Sequence, residues 1–342
     1  MSKPIDYFSQ GKNGIFLPKE RDFGEVLNDT ITILKLLGRP FYRVILFTVV
    51  PISLVNGIFL GLFMDDANSI VGAMLEHPNT MESPLEMLFT WKYFGALAIG
   101  LLESLVITAV VYSFLKLYSK GDENLGVNYV WAEARRHLLN ILVGTILLVV
   151  IIVLLFGIAG GIIGGTVAAF GPGGGIFIAF ILIFLIILGA IYISLAFSMM
   201  LPSIVFEDIW AIKAIRRSTK LVSQNWGQTF LVLIVAYISI GLMSSVFNIP
   251  AMILQWATAL NSLEMTEEGG YAGDTFGLMS LWTVLGACIA AIGSALVTPI
   301  IHVVVGIQYF NLRERLEGLG IKALIDSFGK KDESWDDEEE EW

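Results

Sequence analysis

The run from Leu139 to Gly165 reads LNILVGTILLVVIIVLLFGIAGGIIGG and contains no charged side chain. An α-helix needs about 20 apolar residues to cross a hydrocarbon core of about 30 Å. Five further runs have a similar length and character. They are about Val44–Met64, Tyr93–Leu115, Ile176–Leu201, Gln228–Phe247 and Met279–Gly306. The sequence therefore predicts an all-α polytopic membrane protein with six transmembrane helices.

Basic residues are distributed unequally among the segments that flank and connect these runs. Of the 21 Lys and Arg residues, 20 lie before the first run, after the sixth, between runs two and three, or between runs four and five. Only Lys92 lies elsewhere. Segments rich in Lys and Arg stay on the cytoplasmic side of a membrane. We therefore expect three hairpins with both termini inside, in a multi-pass protein of the cytoplasmic (inner) membrane.

The composition sets further bounds. Hydrophobic residues make up 56% of the chain and charged residues 15%, against about 45–50% and about 25% in soluble domains. The net charge is −10, but no basic patch stands off the membrane, so no nucleic-acid partner is indicated. The first 20 residues contain no continuous apolar core of a signal peptide. We expect a cytoplasmic N-terminal segment (1–23), a membrane domain (24–328) and a disordered acidic tail (329–342).

A short amphipathic segment, 209–225, precedes the fifth run. Its four cations recur at i, i+3, i+4 and i+7, which places them on one face of a helix. Such an interfacial helix lies in the plane of the head groups and turns its cations towards anionic lipid. Similar basic groups stand where other helices meet the inner membrane surface. The residues expected to contact the inner leaflet are Arg39, Arg43, Arg135, Arg136, Lys213, Arg216, Arg217, Lys220, Arg313 and Arg315.

Three stretches resemble a known family. They are Gly24–Thr30 (GEVLNDT), Ala214–Asn225 (AIRRSTKLVSQN) and Tyr309–Gly318 (YFNLRERLEG). Together they are similar to the polytopic membrane domain found beside bacterial glycerophosphodiester phosphodiesterases, and to stand-alone membrane proteins that share its pattern. The resemblance covers about residues 24–318. Where that family carries a phosphodiesterase, the chemistry lies in a separate soluble barrel, so the resemblance implies the fold and no phosphodiesterase activity.

Three polar side chains within the predicted spans are candidates for function: Glu103, Asn56 and His302. A carboxylate near the middle of a bilayer is costly unless it is protonated, paired or hydrated. We therefore expect Glu103 to face the bundle core, either as a proton or cation site or as a structural contact to Asn56, Ser104 or a backbone carbonyl. His302 could pair with Glu103 only if its helix is kinked near Pro299 or strongly tilted, and we expect a structural role for it.

Glycine spacing distinguishes the third run. Gly157, Gly161 and Gly165 form a register of small residues four apart, which is typical of close helix packing within a bundle or between protomers. The following glycine-rich stretch, 171–175, is not a phosphate-binding loop, because no Gly-Lys-Ser/Thr follows it. It predicts the outer turn of the second hairpin, and a re-entrant pore-lining segment is the alternative.

Signals for catalysis are weak. The sequence contains neither Gly-x-Ser-x-Gly nor His-Glu-x-x-His, and no base is indicated beside a candidate nucleophile. A single cysteine, Cys288, excludes an intrachain disulfide, and three scattered histidines predict no metal site. We therefore expect no enzyme activity, no cofactor and no metal ion.

The acidic tail and the basic inner segments lead to the expected function. Trp335 and Trp342 stand among acidic residues and could anchor the tail on a basic protein partner, although a solvated end is the alternative. We expect a non-enzymatic scaffold or accessory subunit of a membrane protein assembly, in contact with anionic inner-leaflet lipid. Two alternatives stay open: a transporter or lipid-handling permease that uses Glu103, and an accessory module in glycerolipid metabolism.

Overall fold

A computed structural model of the chain describes residues 17–76, 90–122, 124–268 and 273–318. Within these ranges the regular structure is helical, without a strand. The expectations for residues 1–16 and for the acidic tail, with Trp335 and Trp342, lie outside the described residues.

Eight helices follow one another in the described ranges. They are α1 (Phe23–Thr48), α2 (Val50–Glu76), α3 (Trp91–Ser119), α4 (Val127–Phe197), α5 (Met200–Phe206), α6 (Ala211–Ser223), α7 (Trp226–Glu268) and α8 (Gly273–Glu317). α4 consists of two helices that meet at Gly171, where φ is 68° and ψ is 176°. This conformation is open almost only to glycine, which explains why the chain turns at the glycine-rich stretch.

Six segments are long and apolar enough to cross a membrane. They are Val50–Ala67, Trp91–Ser119, Val127–Gly171, Gly175–Phe206, Trp226–Ile253 and Leu281–Glu317. Each overlaps one of the six runs read from the sequence, so the prediction of an all-α protein with six candidate spans is confirmed. Large apolar side chains on α4 are exposed, with Phe180 at 74%. Exposure of this kind is unfavourable in water but suits contact with lipid chains.

α1 is fixed at both ends by local chemistry. The Asp22 carboxylate accepts a hydrogen bond from the backbone N–H of Glu25 at 2.7 Å, and the Glu25 carboxylate accepts one from the N–H of Asp22 at 3.0 Å. This reciprocal pair satisfies two N–H groups at the helix start. α1 ends at Thr48 because Pro51 has no N–H with which to continue the hydrogen-bond ladder. The first candidate span therefore begins at Val50, whereas the sequence placed its start near Val44.

The packed core lies towards one end of the bundle. α8 packs against α1, α2, α3 and α7, and its segment from Val303 to Leu312 is buried. The second half of α3, from Leu105 to Leu117, is buried as well. The two spans in α4 are much less buried. The C-terminal halves of α3 and α8 thus form the support on which the charged groups at this end are arranged.

Two glycines let the first and last candidate spans approach closely. A Cβ atom at Gly57 would lie 2.8 Å from the Cα atom of Cys288, and one at Gly61 would lie 2.6 Å from the Cα atom of Val284. Both distances are too short for a real side chain, so α2 and α8 depend on glycine at these positions. The signal in the sequence is the spacing of four between Gly57 and Gly61.

The glycines of the third run are placed differently. Apart from the adjoining backbone of the same helix, no atom in the described part of the chain lies within 4 Å of a Cβ atom built at Gly157, Gly161 or Gly165. The expected packing of these glycines is therefore not seen within the chain, because this face of α4 points away from the other helices. Their packing between protomers stays a prediction.

We predict that Gly57→Ala and Gly61→Ala each destabilise the protein, by roughly 1–3 kcal/mol, because the added methyl group meets backbone atoms of α8. The measurement is thermal unfolding of the purified protein in a mild detergent. Gly161→Ala is the matched control, and it should leave stability unchanged or raise it by up to about 1 kcal/mol, since alanine favours a helix more than glycine does. Equal stability of all three variants would contradict the packing described for α2 and α8.

Candidate functional site

Two polar side chains of α2 hold Glu103. Ser53 Oγ donates a hydrogen bond to Glu103 Oε1 at 2.5 Å, and Asn56 Nδ2 donates one to Oε2 at 2.9 Å. Ser53 and Asn56 are three residues apart and therefore lie on the same face of α2. One turn of α2 thus satisfies both carboxylate oxygens. Of the contacts considered from the sequence, the one with Asn56 is present, and it ties the first two spans together.

His302 makes a separate contact between α3 and α8. Its Nε2 atom lies 3.2 Å from the Thr108 hydroxyl oxygen, and its Nδ1 atom lies 3.3 Å from the carbonyl oxygen of Thr298. The Thr108 hydroxyl donates to the carbonyl oxygen of Ser104 at 2.8 Å. Glu103 and His302 therefore take part in two different local contacts, and the structural role expected for the histidine stays a prediction.

A buried ammonium group organises the charged end of the bundle. Lys116 Nζ lies 2.9 Å from Glu133 Oε1 and 2.6 Å from Asp208 Oδ1, and the Lys116 side chain is only 4% exposed. His137 Nε2 lies 3.5 Å from the same ammonium group. We call these four residues the Lys116 hub. The hub joins α3, the start of α4 and the loop between α5 and α6 at one point.

Asp208 reaches the hub from a left-handed backbone conformation. Its φ is 54°, which is unfavourable for most residues but is tolerated by Asp better than by others. The loop is fixed next to it by Asn140, whose side chain donates to the carbonyl oxygen of Ile209 at 2.7 Å and accepts from the N–H of Ala211 at 2.9 Å. The short connection between α5 and α6 is therefore rigidly held against α4.

Glu133, His137 and Asp208 have the composition of a metal site, and one ligand atom of each lies within 4.8 Å of the others. The ammonium group of Lys116 already lies within 3.5 Å of all three and supplies the positive charge that two carboxylates require. A metal ion would have to displace it, so the group fits an ion-pair cluster better than a metal centre. Its signals in the sequence are the Glu133–His137 spacing of four and a lysine within an apolar helix end.

Arg217 belongs to a second ion-pair network. Its guanidinium group donates to Glu207 Oε1 at 2.7 Å and also pairs with Glu317. Arg313 donates to the same Glu317 at 3.0 Å, and the Tyr309 hydroxyl donates to Glu207 at 2.5 Å. Burial by itself would lower the pKa of Arg217, but the hydrogen bonds to Glu207 and Glu317 raise that pKa overall.

The second network changes the interpretation of two predicted lipid contacts. Arg217 and Arg313 are only partly exposed, with 16% and 27% of their side chains accessible. They turn towards the protein because their acidic partners lie at the ends of α5 and α8. Both residues thus depart from the expectation of lipid contact, which was based on their charge, their helical spacing and their position at helix ends.

A third network joins the two ends of the described chain. Arg21 is buried, and its side chain donates to Asp29 at 2.7 Å while its backbone N–H donates to Asn311 Oδ1 at 2.8 Å. The carbonyl oxygen of Arg21 accepts hydrogen bonds from Gln228 at 2.8 Å and from Arg315 at 2.6 Å. Arg315 is exposed overall, but its guanidinium group is engaged in this structural contact.

α6 carries cations on a fixed support, and its helix lies within the segment 209–225 predicted from the sequence. On its buried face, Ser218 Oγ accepts from the N–H of Met199 at 3.1 Å and donates to the carbonyl oxygen of Ala196 at 2.6 Å. On the opposite face three cations are exposed, which we call the basic platform: Lys213, Arg216 and Lys220. The remaining predicted lipid contacts are exposed as well: Arg39, Arg43, Arg135 and Arg136.

The comparisons with known proteins give one match. Residues 45–312 match the family described as a domain of unknown function (DUF7847). The chain belongs to this family. The DUF7847 region runs from α1 into α8 and contains Glu103, the Lys116 hub and the basic platform. No curated protein and no solved structure matches the chain. The resemblance to phosphodiesterase-linked membrane domains stays a prediction.

We predict that Lys116→Met lowers stability by roughly 3 kcal/mol. The change leaves the Glu133 carboxylate, which is only 14% exposed, with Arg136 at 3.1 Å as its remaining ion-pair partner of fixed charge, and Arg136 is 73% exposed and paired to the other carboxylate oxygen. The expected loss is at the lower end of the usual range because Asp208, at 61% exposed, can turn to water. Thermal unfolding in mild detergent measures it. The double variant Lys116→Met, Glu133→Gln should be more stable than Lys116→Met alone, because removing the second partner of an ion pair also removes the charge that has lost its partner. Lys120→Met, an exposed neighbour, is the control, and an equal effect there would contradict the hub.

We predict that Glu103→Gln keeps stability within about 1 kcal/mol, because the amide oxygen still accepts a hydrogen bond and its NH₂ group can donate to Asn56 Oδ1. That oxygen is buried and lacks a partner among the described residues. Glu103→Leu leaves the Asn56 amide without its acceptor, while the Ser53 hydroxyl keeps the Val49 carbonyl oxygen at 3.2 Å, and it should cost about 1–3 kcal/mol. Unfolding of both variants is compared in the same detergent. A large loss with Glu103→Gln would show that the negative charge itself is required.

Proposed function

We propose that this protein is a non-enzymatic scaffold or accessory subunit of a membrane protein assembly. It lies in the cytoplasmic membrane as three hairpins, with both termini and the basic platform on the inner side. One observation carries the proposal: three exposed cations lie on a short helix that the buried Ser218 attaches to the bundle through two hydrogen bonds. The excess of Lys and Arg in alternate connecting segments supports this orientation, with both termini inside.

The surface around the basic platform suits a protein partner with an acidic face. Trp210 and Ile212 are exposed beside the cations, at 50% and 57%. Aromatic and apolar groups beside arginine are typical of protein interfaces. Because α6 is already ordered, a partner that binds it loses less conformational entropy than one that must order a loop.

The interior polar groups support a non-enzymatic role. Glu103 is engaged by α2, His302 by Thr108, and Lys116 by two carboxylates. Groups engaged in this way stabilise a fold, whereas a catalytic group needs access to a substrate. For the same reason a transporter that uses Glu103 has less support, since both of its carboxylate oxygens already have partners. The glycerolipid alternative rests on the resemblance alone.

The test is cross-linking of the full chain in its native membranes, followed by purification in mild detergent and mass spectrometry. The platform variant combines Lys213→Gln, Arg216→Gln and Lys220→Gln. We expect the wild type to retain a protein partner in fixed proportion, and the platform variant to retain at least about tenfold less, because each lost charged contact weakens binding several-fold. Arg217 is left intact, since its loss would disturb the second network.

A matched control removes three other exposed charges without touching a network: Lys35→Gln, Lys120→Gln and Arg135→Gln. The control should retain the partner at the wild-type level. Recovery of the protein alone from every sample, or equal recovery by the platform variant and the wild type, would contradict the proposal. A separate variant that lacks residues 329–342 shows whether the acidic tail contributes to the same interaction.

A further inference from the structure

An open cleft with a volume of about 1070 Å³ lies between α1 and the start of α4. On the α1 side it is lined by Leu37, Arg39, Pro40 and Arg43, and on the other side by residues 124–129 and by Ala132. Among these described lining residues two are arginines and none is acidic. The two arginines therefore give the cleft a positively charged wall along α1, while the Asp122 carboxylate lies beside the opposite wall and accepts a hydrogen bond from the Tyr129 hydroxyl at 3.4 Å.

Arg39 and Arg43 are arranged to act on one ligand. They are four residues apart, which places them one turn apart on the same face of α1. Both are exposed, and neither guanidinium group makes an ion pair with a residue that the structure describes. They differ in this from Arg21, Arg217 and Arg313, which form ion pairs with acidic side chains of the protein. A planar guanidinium group with two parallel N–H donors matches the oxygens of a phosphate group.

The opposite wall adds backbone donors. α4 begins after Gly126, which has no side chain to cap the helix. The N–H of Gly126 is taken by Asn124 Oδ1 at 3.2 Å, and those of Tyr129 and Val130 turn to the carbonyl oxygen of Gly126. The N–H groups of Val127 and Asn128 accordingly have no acceptor in the described part of the chain. The positive end of a long helix thus faces the cleft that the two arginines line.

The lining also has an apolar part, formed by Leu37, Pro40, Leu125 and Val127. A free inorganic anion has no apolar surface to bury against these side chains, whereas the glycerol and the first acyl carbons of a lipid do. The cleft lies close to the start of a candidate span, Val127–Gly171, where acyl chains can continue into the hydrocarbon. We infer that the cleft between α1 and α4 binds the phosphate group of an anionic phospholipid head group, through Arg39, Arg43 and the uncapped N-terminus of α4.

The inference is tested by native mass spectrometry of the full chain in detergent, titrated with phosphatidylglycerol, phosphatidylcholine or inorganic phosphate. We expect the wild type to prefer phosphatidylglycerol over phosphatidylcholine. Arg39→Gln combined with Arg43→Gln should weaken phosphatidylglycerol binding at least about tenfold, because two charged hydrogen-bond donors are lost. Lys213→Gln combined with Arg216→Gln is the control, since it removes the same charge from the basic platform and should leave this affinity within about twofold of wild type.

Gly126→Asp tests the backbone donors; its Cβ atom would lie 3.1 Å from Asn124 Oδ1, which belongs to an exposed side chain that can shift. Aspartate is a preferred residue at a helix N-cap, so the variant should remain folded while its carboxylate takes the amide groups and repels phosphate. We expect it to lose the preference for phosphatidylglycerol. Gly126→Ser supplies a neutral cap and should lose less.

Three results would overturn the inference. They are an unchanged preference in the arginine pair variant, an equal loss in the basic platform control, and binding of inorganic phosphate as tight as that of phosphatidylglycerol. The last result would assign the cleft to a soluble phosphate instead of a lipid. Because the cleft and the basic platform use different residues, failure of one proposal leaves the other standing.

Discussion

Hydrocarbon offers no hydrogen-bond partner, and this constraint explains where the chain places its polar side chains. A polar group at membrane depth must be satisfied by another part of the protein. Glu103 therefore binds Ser53 and Asn56 on the neighbouring span, and His302 contacts Thr108. Each of these contacts ties one pair of candidate spans. The polar groups in the middle of the bundle thus act as specific ties between helices that apolar packing alone would leave free to slide.

The charged end of the bundle is organised by the same requirement. Lys116 forms ion pairs with Glu133 of α4 and with Asp208 of the loop before α6. Glu317 at the end of α8 forms an ion pair with Arg217 of α6. Arg21 connects the segment before α1 to α8. These networks attach every short element at this end to a long helix. The cations of the basic platform and of the cleft, by contrast, are exposed and make no ion pair with a residue that the structure describes.

The sequence was sufficient for features that depend on local pattern. Six apolar runs predicted six candidate spans, and the spacing of four cations predicted the helix α6 with one exposed face. Contacts that depend on which other helix or side chain lies nearby in space could not be predicted from the sequence. The stripe at Gly157 and the pair Gly57–Gly61 have the same spacing, yet only the second meets another helix. Similarly, Arg217 and Arg216 are adjacent, and only the position of Glu207 and Glu317 decides that Arg217 is internal.

The basic platform and the cleft differ in how they can select an anion. On the platform, three long side chains project from a convex helix, so their charges adapt to many acidic surfaces and discriminate little among them. In the cleft, two arginines on one turn of α1 face backbone N–H groups whose positions are set by the helix. Donors that are fixed before binding favour a ligand of matching geometry and reject others by leaving groups unpaired. The two proposals thus differ in kind: the platform would supply a general electrostatic attraction to acidic partners, and the cleft would supply a specific recognition of phosphate.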